Sequence, residues 1–269
     1  MKLKESVLIP LEADSIRPDL MLEKSRGEIE ALPLYHGNRE LSLSDLFEVR
    51  GEKSERIRIT GDLSHVKRIG YGMTRGSIIV EGSVGMHLGA ELRGGEIIVE
   101  GDASDWVGAE MKGGLIRIKG SSGHFTGASY PGSKRGMNRG MIIVEGNCGR
   151  EAGGRMRRGL IAILGNAGHF LGSNLIAGTI LVFGRVGESP GAGMRRGTIV
   201  LFQKDISAME LLPTFRRGCT CSPRFLRVYL RSLGDCGISL NDAYLGGRYS
   251  RYAGDFAELG KGEILIYEH

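Results

Sequence analysis

The chain predicts an all-β fold, a parallel β-helix of about seven rungs, on three observations. First, a nineteen-residue phrase recurs through its middle, x-I-I-V-x-G-x-x-G-x-x-x-G-x-x-M-x-x-G. Copies start at Ser77, Glu96, Leu115, Met141, Leu160 and Thr179, and a last strand starts at Thr198; one step is 26 residues, lengthened by a seven-residue insertion, and the others are 19. An earlier copy starts at Arg56 with two extra residues. A fixed period near twenty means stacked units that bury one another. Second, positions 2 and 4 are always aliphatic, as in Ile78 and Val80, Ile116 and Ile118, Ile180 and Val182. Alternate side chains of a strand share a face, so these point inward. Third, glycines fall at positions 6, 13 and 19, where the chain must turn. They raise the total to 44 of 269 residues, about twice the usual share of roughly 7%.

Two competing folds lose on the same pattern. A left-handed hexapeptide helix needs an aliphatic residue every six, whereas the pair here recurs every nineteen. A glycine-rich disordered tract lacks the buried core that the Ile/Val pairs supply.

Taken in order, residues 1–55 read as an N-terminal arm that caps the first rung, since the end of a stack exposes strand edges and apolar side chains. Residues 56–204 are the repeats. An apolar residue three before the last glycine of each, from Met73, Leu92 and Met111 to Met194, fills the core from another side. Residues 205–269 form a small α/β extension. Its segment Pro223–Leu233 has Phe225, Leu226, Tyr229, Leu230 and Leu233 at helical spacing, with Arg224, Arg227 and Arg231 opposite. Gly234 is the expected stop, and the ending KGEILIYEH is one more strand. The outward positions of the late repeats are apolar: Ala162, Leu164, Leu181, Phe183, Val200 and Phe202. The C-terminal helix covers this stripe, a subunit does, or both do.

Composition narrows the class. Hydrophobic content is 41%, enough for a sizeable core. No apolar run approaches the ~20 residues of a membrane span. No secretory signal precedes the first repeat, so the expected place is the cytoplasm. Cys219 and Cys221 form C-x-C rather than the C-x-x-C of a metal site, and with Cys148 and Cys236 they read as reduced structural thiols. The net charge of +5 is mild, and no nucleic-acid-binding motif is present.

No catalytic constellation stands out: there is no Ser-His-Asp pattern, no H-E-x-x-H and no Walker loop. The repeated glycines are corners, because no helix follows them to hold an anion. Position 10 gives a polar column, Met86, Asp105, His124, Arg150, His169 and Glu188. It is either a solvated corner or the ladder of acids and bases of a free-standing β-helix enzyme. Positions 17 and 18 give a basic edge: Arg75, Arg93, Lys112, Arg139, Arg157, Arg158, Arg195 and Arg196, with a gap at Ile176 and Ala177. Stacking sets these cations about 5 Å apart, where like charges repel. Solvent, neighbouring acids or an anionic partner must offset that repulsion.

The phrases LSLSDLFEVRGE (Leu41–Glu52), HVKRIGYGM (His65–Met73), GMHLGAELRGGEI (Gly85–Ile97) and RYAGDFAELGKGEI (Arg251–Ile264) carry a family resemblance. The chain resembles the C subunit of formylmethanofuran dehydrogenase and the gamma subunit of the bacterial formyltransferase/hydrolase complex. The glycine repeat alone is also similar to the C-terminal domain of the glutamate synthase large subunit. The resemblance implies a right-handed β-helix, the hand that parallel crossovers usually take, and a subunit with no catalytic centre or bound metal of its own. It implies a complex with an amidohydrolase-like subunit, a formyltransferase subunit and a subunit related to molybdopterin enzymes. A furan carrier, methanofuran or methylofuran, with a glutamate-containing tail then serves the complex rather than this chain. The ending DFAELGKGEI resembles the bacterial type, which moves a formyl group from a tetrahydromethanopterin carrier to formate. The archaeal type, which reduces carbon dioxide to a formyl group, is the alternative. The basic edge suits a polyglutamate tail or another anionic partner.

Overall fold

In the computed structural model each repeat lays one short strand beside the last, and these strands lie side by side in one large sheet. The structure describes residues 1–51, 54–203 and 211–268; the expected boundary at 204 and 205 and Glu52 of the first family phrase lie outside them. The arm contains β1 (Lys2–Leu3), β2 (Leu11–Glu12), α1 (Pro18–Met21), α2 (Arg26–Glu30), β3 (Pro33–His36), β4 (Arg39–Ser42), α3 (Leu43–Leu46) and β5 (Phe47–Glu48). The repeats contribute β6 (Arg56–Thr60), β7 (Val66–Lys67), β8 (Ser77–Glu81), β9 (Glu96–Val99), β10 (Lys112–Ile118), β11 (Arg139–Val144), β12 (Leu160–Ile163), β13 (Thr179–Val182) and β14 (Arg196–Leu201). The extension adds β15 (Arg216–Cys221), α4 (Leu226–Asp235), α5 (Ala243–Gly246), β16 (Arg248–Gly254) and β17 (Lys261–Glu268).

The main sheet has 13 strands in the order β15-β16-β17-β14-β13-β12-β11-β10-β9-β8-β6-β1-β5. Its repeat strands pair in parallel and in strict register, Ile78 beside Ile97, Ile97 beside Ile116, Ile116 beside Ile142. The pairing passes the insertion with one irregularity, between Lys112 and Leu115. Both ends of the sheet are antiparallel, β1 with β5 and β15 with β16. A second, four-stranded sheet, in the order β4-β3-β2-β7, joins the arm to the first repeat. This corrects the expected right-handed parallel β-helix of about seven rungs: the repeats build one large, mixed sheet, with no closed barrel among the described residues.

The physical reason lies in the backbone between strands. Position 11 of every repeat is left-handed although it is never glycine, as at His87, Trp106, Phe125 and Glu151 (φ 57–66°). Position 15 is left-handed again at Glu91, Glu110, Arg155 and Asn174. A chain that turns this often extends little on the far side, and only the first repeat adds a strand there, β7, which pairs with β2 of the arm. Pairing on that side shrinks to single parallel bridges from Leu63 through Val84, Ala103, Ser122, Cys148 and Ala167 to Val186.

Between the sheet's inner face and this column of bridges lies the larger core. It holds the position 2 and 4 aliphatics and Met73, Leu92, Met111, Met137, Met156, Leu175 and Met194, all at 0% exposure except the first aliphatic, Ile57. Leu11, Ile16, Leu34, Leu43 and Phe47 of the arm join the same cluster. A second core covers the outer face of the late strands. Ala162, Leu181, Val200 and Phe202 pack there against Leu226, Leu230 and Leu233 of α4, with Leu164 and Phe183 at its margin. The apolar stripe is therefore covered by the chain's own helix. That helix runs one residue past Gly234. It ends at Gly237 (φ 78°), where Ile238 N–H reaches Leu233 O at 3.0 Å, the six-to-one bond of a glycine stop.

The last strand lands beside the last repeat. β17 inserts between β14 and β16, parallel to β14, and Ile264 and Ile266 continue the inward positions of Ile199 and Leu201. No helix among the described residues is long and apolar enough to cross a membrane.

Candidate functional site

The eight cations of the basic edge all sit where the chain enters a strand. Each repeat ends on a glycine with positive φ that turns it into the sheet. At Gly159 (φ 108°) a Cβ would lie 2.7 Å from Gly140 O, closer than any side chain tolerates. The residues just before this glycine follow a buried Met or Leu and project from the entry end of the sheet. Arg75, Arg93, Lys112, Arg139, Arg158, Arg195 and Arg196 are exposed and Arg157 is half-buried.

Among the described residues, two of the eight are neutralised within the chain. Lys112 Nζ meets Glu91 Oε2 at 2.6 Å and Arg195 Nε meets Glu258 Oε2 at 3.4 Å. The Lys112 ammonium, followed by the Tyr71 hydroxyl, holds the Glu91 carboxyl below its usual range. Arg75, Arg93, Arg139, Arg157, Arg158 and Arg196 form no ion pair among the described residues. Sequence reasoning missed a further member, Lys261, which pairs in register with Arg196. It comes from β17, 65 residues later, and only tertiary pairing brings it into the row.

The position-10 column serves the backbone. Asp105 Oδ1 accepts the His124 N–H at 2.7 Å, His124 Nδ1 accepts the Arg150 N–H at 3.1 Å, and His169 Nδ1 accepts the Glu188 N–H at 3.1 Å. Arg150 has no acceptor, so the ladder breaks there. Accepting through Nδ1 places the ring proton of a neutral histidine on Nε2. His169 and Glu188 lie 3.9 Å apart, both exposed. A parallel ladder at position 7 runs through Ser83, Asp102, Ser121, Asn147 and Asn166, each side chain accepting the next backbone N–H at 2.7–3.1 Å. These columns satisfy donors that the turning backbone leaves without sheet partners.

The family phrases lock the arm to the first repeats. Arg68 reaches Asp14 through Nε and Nη2 at 2.6 and 2.7 Å and lies over the Tyr71 ring at 4.1 Å. At the other end, Asp255 accepts from Gly193 and Ala257 N–H groups at 3.0 and 2.8 Å, tying the C-terminal turn to the last repeat.

One cluster has no counterpart among the expected sites. His87, Trp106 and Phe125 follow one another at position 11, with Trp106 and Phe125 stacked at 4.4 Å. The insertion folds Tyr130 back against them, 5.0 Å from Trp106 and with its hydroxyl 2.9 Å from His87 Nδ1. Burial pushes the Tyr130 hydroxyl up to about 12. Burial, then Lys67 and Arg68, lower the His87 imidazole. A cavity of about 330 Å³ adjoins the cluster, lined by Trp106, Phe125, Tyr130, Lys134, Glu151 and Arg155. The aromatic column one place after position 10 was the available signal. Among the described residues, no group of three or more His, Cys, Asp or Glu is placed to hold a metal ion. All four cysteines are free, and burial raises the Cys148 thiol.

The repeat defines the class: residues 59–212 match the GXGXG motif family. Over its whole length the chain is similar to a chain of the formyltransferase/hydrolase complex of Methylorubrum extorquens, solved in complex with methylofuran. The two are 36% identical with a TM-score of 0.91, and the match covers 100% of this chain and 99% of that one. Locally it is 46% identical over 92 residues to the C subunit of the tungsten-containing formylmethanofuran dehydrogenase 2 of Methanothermobacter wolfeii, covering 32% of this chain and 34% of that subunit. It is 47% identical over 88 residues to the C subunit of the molybdenum-containing formylmethanofuran dehydrogenase 1 of Methanothermobacter marburgensis, covering 32% of this chain and 22% of that subunit. The match thus spans about a third or less of these curated relatives' length. The chain belongs to the GXGXG-motif family and, within it, to the line that holds the C subunits of the formylmethanofuran dehydrogenases and this chain of the formyltransferase/hydrolase complex.

Proposed function

We propose that this chain is a non-catalytic structural subunit of a formyltransferase/hydrolase complex, moving one-carbon units on a furan carrier. The observation that carries this reading is the full-length match to a chain of such a complex solved with methylofuran. The formylmethanofuran dehydrogenase relatives match across only 32% of the chain, which favours the hydrolase type over carbon dioxide reduction. The position-10 column supports a structural role as well, because its acceptors are occupied by backbone N–H groups. The partners on this reading are amidohydrolase-like, formyltransferase and molybdopterin-enzyme-related subunits. The basic row then receives an anion, either an acidic subunit surface or the polyglutamate tail of the carrier.

One experiment tests the reading. The tagged chain is purified from its own cells, once as wild type and once with Arg157, Arg158, Arg195 and Arg196 replaced by Ala. The wild-type chain brings down formyltransferase and amidohydrolase-like subunits and shows no hydrolytic activity alone. The variant brings down less of either a subunit or the carrier. Activity in the isolated chain, or a chain that purifies alone, rejects the proposal.

A further inference from the structure

The gap in the basic row is as informative as its cations. Register places Arg139, Arg158, Ala177, Arg196 and Lys261 at the entry to the adjacent strands β11, β12, β13, β14 and β17, two residues before the first paired residue of the repeats. Four are cations and the middle one is not. At that interruption the surface opens into a cleft of about 410 Å³, floored by Met141, Leu160 and Ala177 and walled by Val228 and Tyr229 of α4. Arg157 and Arg158 stand at its rim, and no carboxylate among the described residues lines it. Val228 is 64% exposed and Phe225, stacked edge-on against Tyr229, is 41% exposed. The side of α4 that faces this cleft carries Val228, Tyr229 and Ser232 and leaves Val228 uncovered, next to the stripe of Leu226, Leu230 and Leu233 that is buried.

We propose that this cleft docks an extended, acidic segment of a partner subunit, with one apolar side chain seated over Ala177 and carboxylates on Arg158 and Arg196. The proposal rests on the reading of this chain as a subunit of a complex, and it names the contact. Charge complementarity selects an acidic occupant: Arg139, Arg157, Arg158, Arg196, Arg224 and Arg231 form no ion pair among the described residues. The apolar floor selects a protein segment over a polyglutamate tail, which has carboxylates but nothing to fill the cleft. Spacing sets the pattern. Arg158 and Arg196 are two strands apart, roughly 9.6 Å at about 4.8 Å per strand. Alternate side chains of an extended chain share a face and the chain rises about 3.3 Å per residue, so acid, apolar residue and acid fall at i, i+2 and i+4; the two acids then span about 13 Å, within reach of the long arginine side chains.

The test uses the complex as it purifies from cells. Arg158→Glu with Arg196→Glu is compared with Arg75→Glu with Arg93→Glu, the same charge change elsewhere on the edge. Ala177→Trp fills the cleft without touching charge. Thermal unfolding of each isolated chain confirms that it folds. The Arg158/Arg196 pair and Ala177→Trp each lower the retained partner subunit about tenfold or more, as like-charge or steric contact at an interface does. The Arg75/Arg93 pair retains it. A photo-crosslinking residue at Val228 then captures a peptide with two acids four residues apart around a central apolar residue. Full retention in Ala177→Trp, equal loss in both charge pairs, loss of carrier with all subunits retained, or a captured segment without that acid pair overturns the proposal. If the wild-type chain holds no partner at all, the subunit reading itself falls.

Discussion

At the residue scale, the chain spends its unusual residues on turns. Glycine occupies the corners where a Cβ would strike the carbonyl of the previous repeat, as at Gly159. Non-glycine residues also hold left-handed angles at positions 11 and 15, each at some cost in strain. Asp105, His124, Asn147 and Asn166 accept the backbone N–H groups of positions 7 and 10, between the strand and those turns. His87 differs, since its ring is part of the aromatic cluster and its imidazole is lowered by burial and by Lys67 and Arg68. The neutral ring is the folded form, while the unfolded ring takes up a proton below about 6.5. The unfolded state thus binds more protons, and stability rises with pH through the window from the lowered folded value to about 6.5. Thermal unfolding between pH 7 and pH 5 tests this. The wild-type chain loses melting temperature on acidification, and His87→Phe loses less. Equal losses in the two would remove His87 as the cause.

At the element scale, α4 shows how one helix serves two surfaces. Leu226, Leu230 and Leu233 recur at i, i+4 and i+7 and cover the outer face of the late strands. Val228, on the neighbouring stripe, faces the open cleft. Leu230→Ala therefore costs about 2–5 kcal/mol, the usual range for truncating a buried leucine. Val228→Ala stays within about 0.5 kcal/mol, as exposed positions do. Urea unfolding of the two variants decides it, and a larger loss in Val228→Ala would reverse the assignment of faces. The helix, its buried stripe and its apolar target were legible in the sequence, because a 3.6-residue period and a run of outward apolar positions are local patterns. Its C-terminus was not, since Gly237 rather than Gly234 takes the left-handed turn.

At the scale of the whole molecule, the chain closes its sheet with its own end. β17 lies between β14 and β16, and Ile264 and Ile266 are at 0% and 1% exposure in the same core as the repeats. Removing residues 255–269 strips the partner from both neighbours and uncovers an apolar strand edge, the arrangement that templates aggregation. Such a truncation sends the chain to the insoluble fraction on expression. A soluble, monomeric product by size-exclusion chromatography would show that β17 is dispensable. The same insertion of β17 brings Lys261 beside Arg196 and extends the basic row past its last sequence repeat.

The sequence by itself determined the nineteen-residue register, the inward aliphatics and the eight cations, because period, side-chain alternation and glycine placement are local and repeat unchanged. The tertiary structure alone decided that the repeat strands form one large mixed sheet, with a small second sheet at the arm, rather than a parallel β-helix. It also decided that His124 and His169 accept from backbone, that Tyr130 closes the aromatic stack, and that Lys261 joins the row. Each of those depends on backbone angles between strands or on contacts between residues far apart in the chain, and neither leaves a periodic trace in the sequence. The cleft beside Ala177 combines both sources: the missing charge was visible in the repeat, and the helix that makes a cleft of it was placed there by folding.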